Sequence, residues 1–227
     1  MRVLAIDTAL EACSVAVLDT GEGILASETT NMTRGHAEAL MPMVARALDR
    51  AHIEFFSGID RIAVTTGPGS FTGLRVGIAA ARGFALAANR PAIGLSTLAA
   101  YAAPFIAEND ALPVVSAIDA RHDHIYLQVF GPGGRTIVPP RLASLRDALR
   151  VASMGTPRVV GTAAKVMVDH WPPGERPPSA VDTRRAPDIG WVARLGAAAA
   201  ETGVPPKPLY LRAPDAQPQD AAQLARR

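Results

Sequence analysis

The sequence predicts a two-lobed α/β fold in which mixed β-sheets are flanked by helices. Residues 3–30 alternate short apolar runs with turn residues and predict an antiparallel meander, after which strands and helices alternate. The opening strand ends at Asp7, and a second buried strand ends in the same way at Asp119. We therefore predict that two halves share one plan, with an N-terminal lobe at 1–112 and a smaller C-terminal lobe at 113–212.

Composition restricts the class of protein. The 227 residues carry a net charge of only +2, with both signs mixed along the chain, so no nucleic-acid footprint is visible. Cys13, the single cysteine, lies in an apolar strand pattern and is predicted to be a small buried residue. The chain opens directly on a strand without a signal pattern, and we expect no apolar run long enough to span a bilayer. The expected location is cytoplasmic, and residues 213–227 are expected to form a disordered tail.

Hydrophobic spacing predicts the elements of the N-terminal lobe. The first helix is predicted from apolar residues at helical spacing, namely Ala37, Leu40, Met41, Val44 and Leu48. Pro42 is expected to kink this helix or to confine its regular part to the residues that follow. The predicted strands are 3–6, 13–18, 24–30, 62–66 and 92–95, and the predicted helices are 36–51, 78–88 and 96–107.

The C-terminal lobe is predicted to open with a second hairpin and to end with a helix. A proline-rich stretch at 171–178 cannot form regular structure and is predicted to be a loop. The predicted strands are 114–118, 125–130, 135–138 and 158–161, and the predicted helices are 145–151 and 189–201.

A glycine-rich loop at 65–77 leads from a strand into the Ala-rich second helix. Such a loop can place backbone N–H groups at the positive end of a helix, where phosphates bind. The candidates for binding a nucleotide are Ser70 and Thr72 of this loop and Asp7 and Thr8 of the first hairpin.

Several segments resemble one family. The duplicated hairpin looks like the actin-like, sugar kinase and Hsp70 (ASKHA) fold, in which two such hairpins hold the phosphates of ATP. Within that fold, residues 4–8, 66–75 and 119–126, together with the ending 208–212, resemble the TsaB (YeaZ) family. The ten-residue segment TGPGSFTGLR is the most specific of them.

The resemblance implies a non-catalytic subunit with no catalytic residue, cofactor or metal of its own. Family members are needed to make threonylcarbamoyladenosine (t6A, position 37) in tRNA, and they bind and stabilise the catalytic paralogue TsaD together with the ATPase TsaE. ATP or ADP and metal are expected on those partners, tRNA is expected to be contacted through the complex, and a homodimer is expected when the chain is alone. By position, Ser96 and Ala100 match the metal-binding histidines of the paralogue, and neither can replace an imidazole.

Two enzyme classes are alternatives. An ATP-dependent phosphotransferase of the sugar kinase class would need glycines in the two hairpins, and a metalloprotease, the old glycoprotease label, would need a His-Glu-x-x-His helix. The sequence contains neither feature. Asp7 and Asp119 are therefore predicted to be turn residues rather than a metal pair, and Ser70 is predicted to be a helix cap rather than a nucleophile.

A partner surface is predicted on the first two helices. Gly73, Gly77, Ala81 and Ala85 recur every four residues, a spacing that suits close packing either on a partner or on the protein's own sheet or first helix. The resemblance favours the partner, because family members dimerise through these helices. The predicted interface residues are Met41, Val44, Gly73, Leu74, Arg75, Gly77, Ala81 and Arg82.

Overall fold

A computed structural model describes residues 1–54, 57–153 and 155–212 of the chain. The residues of the predicted tail, 213–227, lie outside these ranges. In chain order the elements are β1 (Arg2–Asp7), β2 (Ala12–Asp19), β3 (Gly23–Asn31), α1 (His36–Arg50), β4 (Arg61–Gly67), α2 (Phe71–Ala88), β5 (Ala92–Ser96), α3 (Thr97–Glu108), β6 (Val114–Asp119), β7 (His124–Phe130), β8 (Thr136–Ser144), α4 (Leu145–Ala152), β9 (Arg158–Val160), α5 (Ala164–Asp169), β10 (Ala180–Asp182) and α6 (Ile189–Ala198).

The strands form two sheets with the same topology. The first has the order β3-β2-β1-β4-β5, and the second has the order β8-β7-β6-β9-β10. In each sheet a three-stranded antiparallel meander is extended by two parallel strands beside its first strand. The predicted duplication of the opening hairpin is therefore confirmed, and the sheets are mixed as predicted.

The last helix of each half packs on the sheet of the other half. Helices α1 and α2 cover one face of the first sheet, while α4 and α5 cover one face of the second. The opposite face of the first sheet is covered by α6, and that of the second mainly by α3. Because α6 lies beyond residue 113 in sequence but belongs to the first sheet in space, the two halves are interlocked.

Two buried arginines hold these exchanged helices. Arg61 begins β4 and donates to carbonyl oxygens at the end of α6, and Arg158 begins β9 and donates to carbonyl oxygens at and beyond the end of α3. A cation at a helix C-terminus satisfies free carbonyls and opposes the helix dipole. The acceptors are Gly196, Ala197 and Ala199 for Arg61, and Phe105, Asn109 and Leu112 for Arg158.

Helix α1 confirms the predicted range to within one residue but differs from the prediction in its buried face. It is one helix from His36 to Arg50 that continues through Pro42, so the regular part is not confined to the residues after the proline. Ala37 and Met41 are exposed, and Met43 and Ala47 join the buried face in their place. Two of the five residues of the predicted apolar stripe, Ala37 and Met41, therefore face solvent.

Other boundaries also differ. Helix α2 begins at Phe71 rather than at 78, because Ser70 caps it and the glycine loop enters its first turns. Strand β8 is longer than predicted, α6 ends at Ala198, and the short elements α5 and β10 were not predicted. Helix α2 is long and apolar enough, by length and composition alone, to cross a membrane, which corrects the expectation that no such run exists. Its face from Gly73 to Phe84 is buried on the first sheet and α1.

Candidate protein interaction surface

The glycine-rich loop packs directly on the first hairpin. A β-carbon at Gly69 would lie 2.4 Å from the carbonyl oxygen of Ala9, and one at Gly73 would lie 2.1 Å from that of Thr8. The Ser70 N–H donates to the Ala9 carbonyl oxygen at 2.7 Å. These glycines are therefore required because two backbones approach each other closely.

The packing of the loop on the hairpin determines where the candidate nucleotide-binding residues lie and which groups they bond. Thr8 is buried and its hydroxyl donates to the Gly73 carbonyl oxygen at 2.7 Å. Ser70 accepts from the Gly73 N–H at 3.3 Å, which confirms its predicted role as the cap of α2. Thr72 is exposed on the first turn of that helix. Since the loop's own backbone covers the first hairpin turn, the four candidates, Asp7 included, do not form a cradle for phosphates.

The two aspartates at the strand ends have the same local role. The Asp7 carboxylate accepts from the Ala9 N–H at 3.1 Å, and that of Asp119 accepts from the Arg121 N–H at 2.7 Å. Each therefore closes its own turn, as predicted. No cluster of three or more His, Cys, Asp or Glu side chains suited to a metal occurs within 1–54, 57–153 and 155–212.

The positions that correspond to the paralogue's metal ligands have structural roles. Ser96 caps α3 by accepting from the Ala99 N–H at 3.4 Å, and Ala100 is fully buried against the first sheet and α6. A hydroxyl used as a cap and a methyl group in the core cannot hold a metal ion. This part of the chain does not fit a metal centre.

The second hairpin turn has an unusual backbone. Arg121, His122 and Asp123 all have positive φ angles, of 62°, 51° and 56°. This conformation is unfavourable for residues that carry a side chain, and three in succession are held by the flanking strands. His124 Nδ1 lies 2.6 Å from the carbonyl oxygen of His122. His122 therefore lies in the turn, and His124 begins β7.

Asp7 is a fully buried carboxyl group with one oxygen unpaired. Its Oδ1 accepts from the Thr65 hydroxyl and the Ala9 N–H, whereas Oδ2 has no hydrogen-bond partner among the described residues. Burial raises the pKa of Asp7, and the bonds from Thr65 and Ala9 and the charge of His36 offset only part of this effect. Burial also raises the pKa of the Cys13 thiol to about 11, which fits the predicted role of a small core residue.

We expect Asp7→Asn to stabilise the protein at neutral pH. The raised pKa means that the folded state favours the protonated carboxyl of Asp7. The stability that this preference gives the wild type is fully present below the unfolded-state pKa near 3.8 and is lost as the pH rises through the folded-state pKa. Asparagine retains an acceptor for Thr65 and Ala9 but never ionises. Urea unfolding at pH 4, 5, 6 and 7 should therefore show a stability difference between variant and wild type that grows with pH.

The matched control for this experiment is Asp119→Asn. Asp119 occupies the equivalent turn in the second hairpin but is exposed, so the same substitution there tests the turn without the burial. A pH-independent difference for Asp7→Asn, or an equal pH dependence in both variants, would contradict the explanation.

Most of the predicted interface residues are buried in the protein's own core. Val44 and Leu74 are each only 1% exposed, and Gly73, Gly77 and Ala81 are also buried. A β-carbon at Gly77 would lie 2.4 Å from the Thr8 hydroxyl oxygen. The small-residue stripe thus packs on the first hairpin and sheet, and for these five positions the prediction of a partner surface was wrong. Met41, Arg75 and Arg82 are exposed.

An exposed aromatic patch, formed by Phe71, Arg75 and Tyr210, lies at the start of α2. The rings of Phe71 and Tyr210 stack with centroids 5.5 Å apart, and the Arg75 guanidinium lies 3.7 Å from the Phe71 ring centroid. Arg75 Nε also donates to the Tyr210 hydroxyl at 3.3 Å. Phe71 and Tyr210 are each 43% exposed, although large aromatic rings are usually buried.

The C-terminal segment, residues 205–212, brings Tyr210 to this patch. The Leu209 N–H donates to the Thr66 carbonyl oxygen at 2.7 Å, and Arg212 donates to the Ala120 carbonyl oxygen of the second hairpin at 3.2 Å. Gly67 has a φ of 117° and leaves room for the Leu209 carbonyl group, because a β-carbon at position 67 would lie only 2.9 Å from that oxygen. This segment therefore joins the two hairpin regions. Sequence reasoning noted its motif but missed Phe71 and Tyr210 as surface residues, because their contact spans 139 positions of the chain.

The fold defines the class of protein. Two interlocked lobes, each with a meander-led five-stranded mixed sheet and an aspartate at the end of its first strand, constitute the actin-like, sugar kinase and Hsp70 architecture. Fold alone does not establish an activity, because this architecture supports several.

Comparisons with known proteins narrow the class to a family. Residues 23–173 match the model of the family TsaD, tRNA N6-adenosine threonylcarbamoyltransferase. The solved structure of YeaZ from Pseudomonas aeruginosa is 34% identical, with a TM-score of 0.78, and the match covers 92% of this chain and 99% of that one. The chain belongs to the TsaD family and, within it, to the TsaB (YeaZ) group.

Two further relatives differ in how much of the chain they cover. The tRNA threonylcarbamoyladenosine biosynthesis protein TsaB of Escherichia coli is 43% identical over 126 residues, which is 56% of this chain and 53% of that protein. An uncharacterised protein of Mycobacterium tuberculosis is 32% identical over 219 residues, which is 95% of this chain and 94% of that protein. The chain thus matches about half the length of the relative that is named for a biosynthetic role.

Proposed function

We propose that this chain is a non-catalytic subunit in the synthesis of threonylcarbamoyladenosine at position 37 of tRNA. It acts by binding and stabilising a TsaD-like catalytic paralogue together with a TsaE-like ATPase. The observation that carries the proposal is the covered first hairpin, where Gly69 and Gly73 bring the loop's backbone against the turn that would face a nucleotide. The name of the E. coli relative supports the tRNA modification pathway.

The exposed aromatic patch supports a role in assembly. Aromatic and arginine side chains are enriched at the centres of protein interfaces, and the patch presents both, with Phe71 and Arg75 one turn apart at the start of α2. Met41 and Arg82, exposed on α1 and α2, extend the proposed surface. In this proposal ATP or ADP and metal bind to the partner proteins, and tRNA is contacted through the complex. The isolated chain forms a homodimer through these helices. The assembly works in the cytoplasm.

Depleting the protein should lower the threonylcarbamoyladenosine content of bulk tRNA, measured by mass spectrometry of digested nucleosides. Re-expression of the wild type should restore the modification, and re-expression of the Arg75→Glu variant should restore less of it, because the reversed charge breaks the contacts with Phe71 and Tyr210. A modification level that stays unchanged on depletion would remove the functional proposal.

The same Arg75→Glu variant should co-purify with the paralogue at least tenfold less than the wild type, an expected loss of about 1.4 kcal/mol or more in binding. The control is Lys165→Glu, an equal charge reversal at an exposed position on α5 of the other lobe, where the lysine pairs with Asp169. Gly77→Arg is unsuitable as a test, since a side chain there collides with Thr8 and damages the fold. Equal losses for Arg75→Glu and Lys165→Glu would place the interface elsewhere.

A further inference from the structure

The two sheets of the described residues have four edge strands, and three of them are protected against pairing with another chain. Strand β10 has only three residues, and β8 contains the adjacent prolines Pro139 and Pro140. Strand β5 has five residues, and Pro206 lies against Gly94. Short strands, prolines and covering segments are the usual means by which proteins prevent edge pairing.

Strand β3 has none of these protections within the residues that the structure describes. Its nine residues, GILASETTN, include no proline, lysine or arginine. The Met32 N–H donates to the Glu11 carbonyl oxygen at 3.1 Å, so these two residues form a hydrogen-bonded pair. Along the antiparallel ladder of β3 with β2, hydrogen-bonded pairs alternate with pairs that do not bond each other. By that alternation the backbone groups of Ser27, Thr29 and Asn31 point away from β2. Among the described residues these three backbones have no partner on the outer side.

A polar groove runs beside this free edge. It has a volume of about 890 Å³, and the side chains of Ser27, Thr29 and Asn31 form one wall. The opposite wall is built from residues 182–190 and from α6, and besides the aspartates Asp182 and Asp188 it carries three arginines. They are Arg184, Arg185 and Arg194.

The charges of the arginine wall are only partly neutralised. Arg184 is paired with Asp182 through a 2.8 Å bond from its Nε. Arg185 lies 3.8 Å from Glu11, and both of these side chains are more than half exposed. Arg194 stacks on the Trp191 ring at 5.3 Å and has no ion-pair partner in the part of the chain that the structure describes. The wall can therefore accept acidic side chains.

We propose that the outer edge of β3 is a docking site for an extended segment of a partner protein that carries acidic side chains. The segment adds a sixth strand to the first sheet by pairing with the backbones of Ser27, Thr29 and Asn31, and its acidic side chains reach Arg185 and Arg194. A second copy of this chain fits less well, because antiparallel pairing of two β3 strands places both arginine walls on the same face of the joined sheet.

The test uses a fluorescein-labelled synthetic nonapeptide of alternating threonine and glutamate, with both ends blocked, titrated with the full chain by fluorescence anisotropy. Saturable binding is expected, weakened about tenfold by Ser27→Pro, which removes one outward N–H without breaking the ladder to β2. Ser27→Ala, which retains that N–H, should bind like the wild type. Arg194→Ala should weaken binding by a similar factor.

Any other binding result overturns the proposal. Absence of saturable binding at millimolar chain excludes the docking site, and equal binding by Ser27→Pro and Ser27→Ala excludes pairing at the edge. Self-association in sedimentation that Ser27→Pro abolishes would assign the edge to a second copy. If Ser27→Pro fails to fold, as judged by its thermal melt, N-methylation of alternate peptide nitrogens tests the same bonds from the ligand side. The experiment does not involve modified tRNA, so its failure leaves the proposed function standing.

Discussion

Replacing Gly73 by alanine is expected to lower the free energy of unfolding by about 3 kcal/mol. The new β-carbon would lie 2.1 Å from the Thr8 carbonyl oxygen, which is backbone and cannot rotate away. Thr8 is also held in place by its 2.7 Å hydrogen bond to Gly73, so the first hairpin and α2 must separate to admit a methyl group. Urea unfolding followed by circular dichroism measures the loss.

The control lies in the same helix. At Gly83 a β-carbon would meet no atom within 4 Å, and the position is exposed. Gly83→Ala should therefore stabilise the protein by about 0.5 to 1 kcal/mol, since alanine reduces the entropy of the unfolded chain and favours the helix. The change in the free energy of unfolding is therefore expected to have opposite signs for Gly73→Ala and Gly83→Ala. Similar changes at both positions would show that the loop does not pack on Thr8 as described.

Replacing Arg158 by leucine is expected to destabilise the protein by about 3 kcal/mol or more. The side chain is only 5% exposed and donates to three carbonyl oxygens at and beyond the end of α3. Leucine removes the donors and leaves those acceptors in a partly buried site. Because α3 connects the first half of the chain to the second sheet, its loosening should be visible in hydrogen exchange as faster exchange in α3 and β9.

The control for this prediction is Arg150→Leu. Arg150 is 79% exposed and pairs with Asp147 only on the surface of α4, so its loss should change stability by less than about 0.5 kcal/mol. Arg158→Lys should recover part of the loss, since one ammonium group reaches fewer carbonyls than a guanidinium. The duplicated role of Arg61 predicts a comparable loss for Arg61→Leu. If Arg158→Leu were as mild as Arg150→Leu, the anchoring role would be wrong.

The strands and the duplicated plan could be predicted because their signals are local. Each half opens with a continuous apolar run that ends at an aspartate, and the Asp7 and Asp119 side chains then bond the backbone two residues further on. Such a signal depends on neighbours in sequence. The cap at Ser70 was predictable for the same reason, since it involves the N–H three residues ahead.

The orientation of the first two helices could not be predicted in the same way. Helix α2 has small or apolar residues on several faces, so its sequence does not distinguish the side that packs on Thr8 from the side that faces solvent. In α1 the packing of Leu40 and Met43 on the sheet maintains a helix that the proline rule would have interrupted.

The sequence by itself determined the two-lobed plan, the family resemblance and the turn roles of Asp7, Asp119 and Ser70, because these depend on residues close together in the chain. Only the tertiary structure decided that the glycine loop covers the first hairpin and that α3 and α6 are exchanged between the sheets. It also decided that Phe71 and Tyr210 meet on the surface. These features depend on contacts between segments far apart in sequence, and no local pattern encodes such contacts.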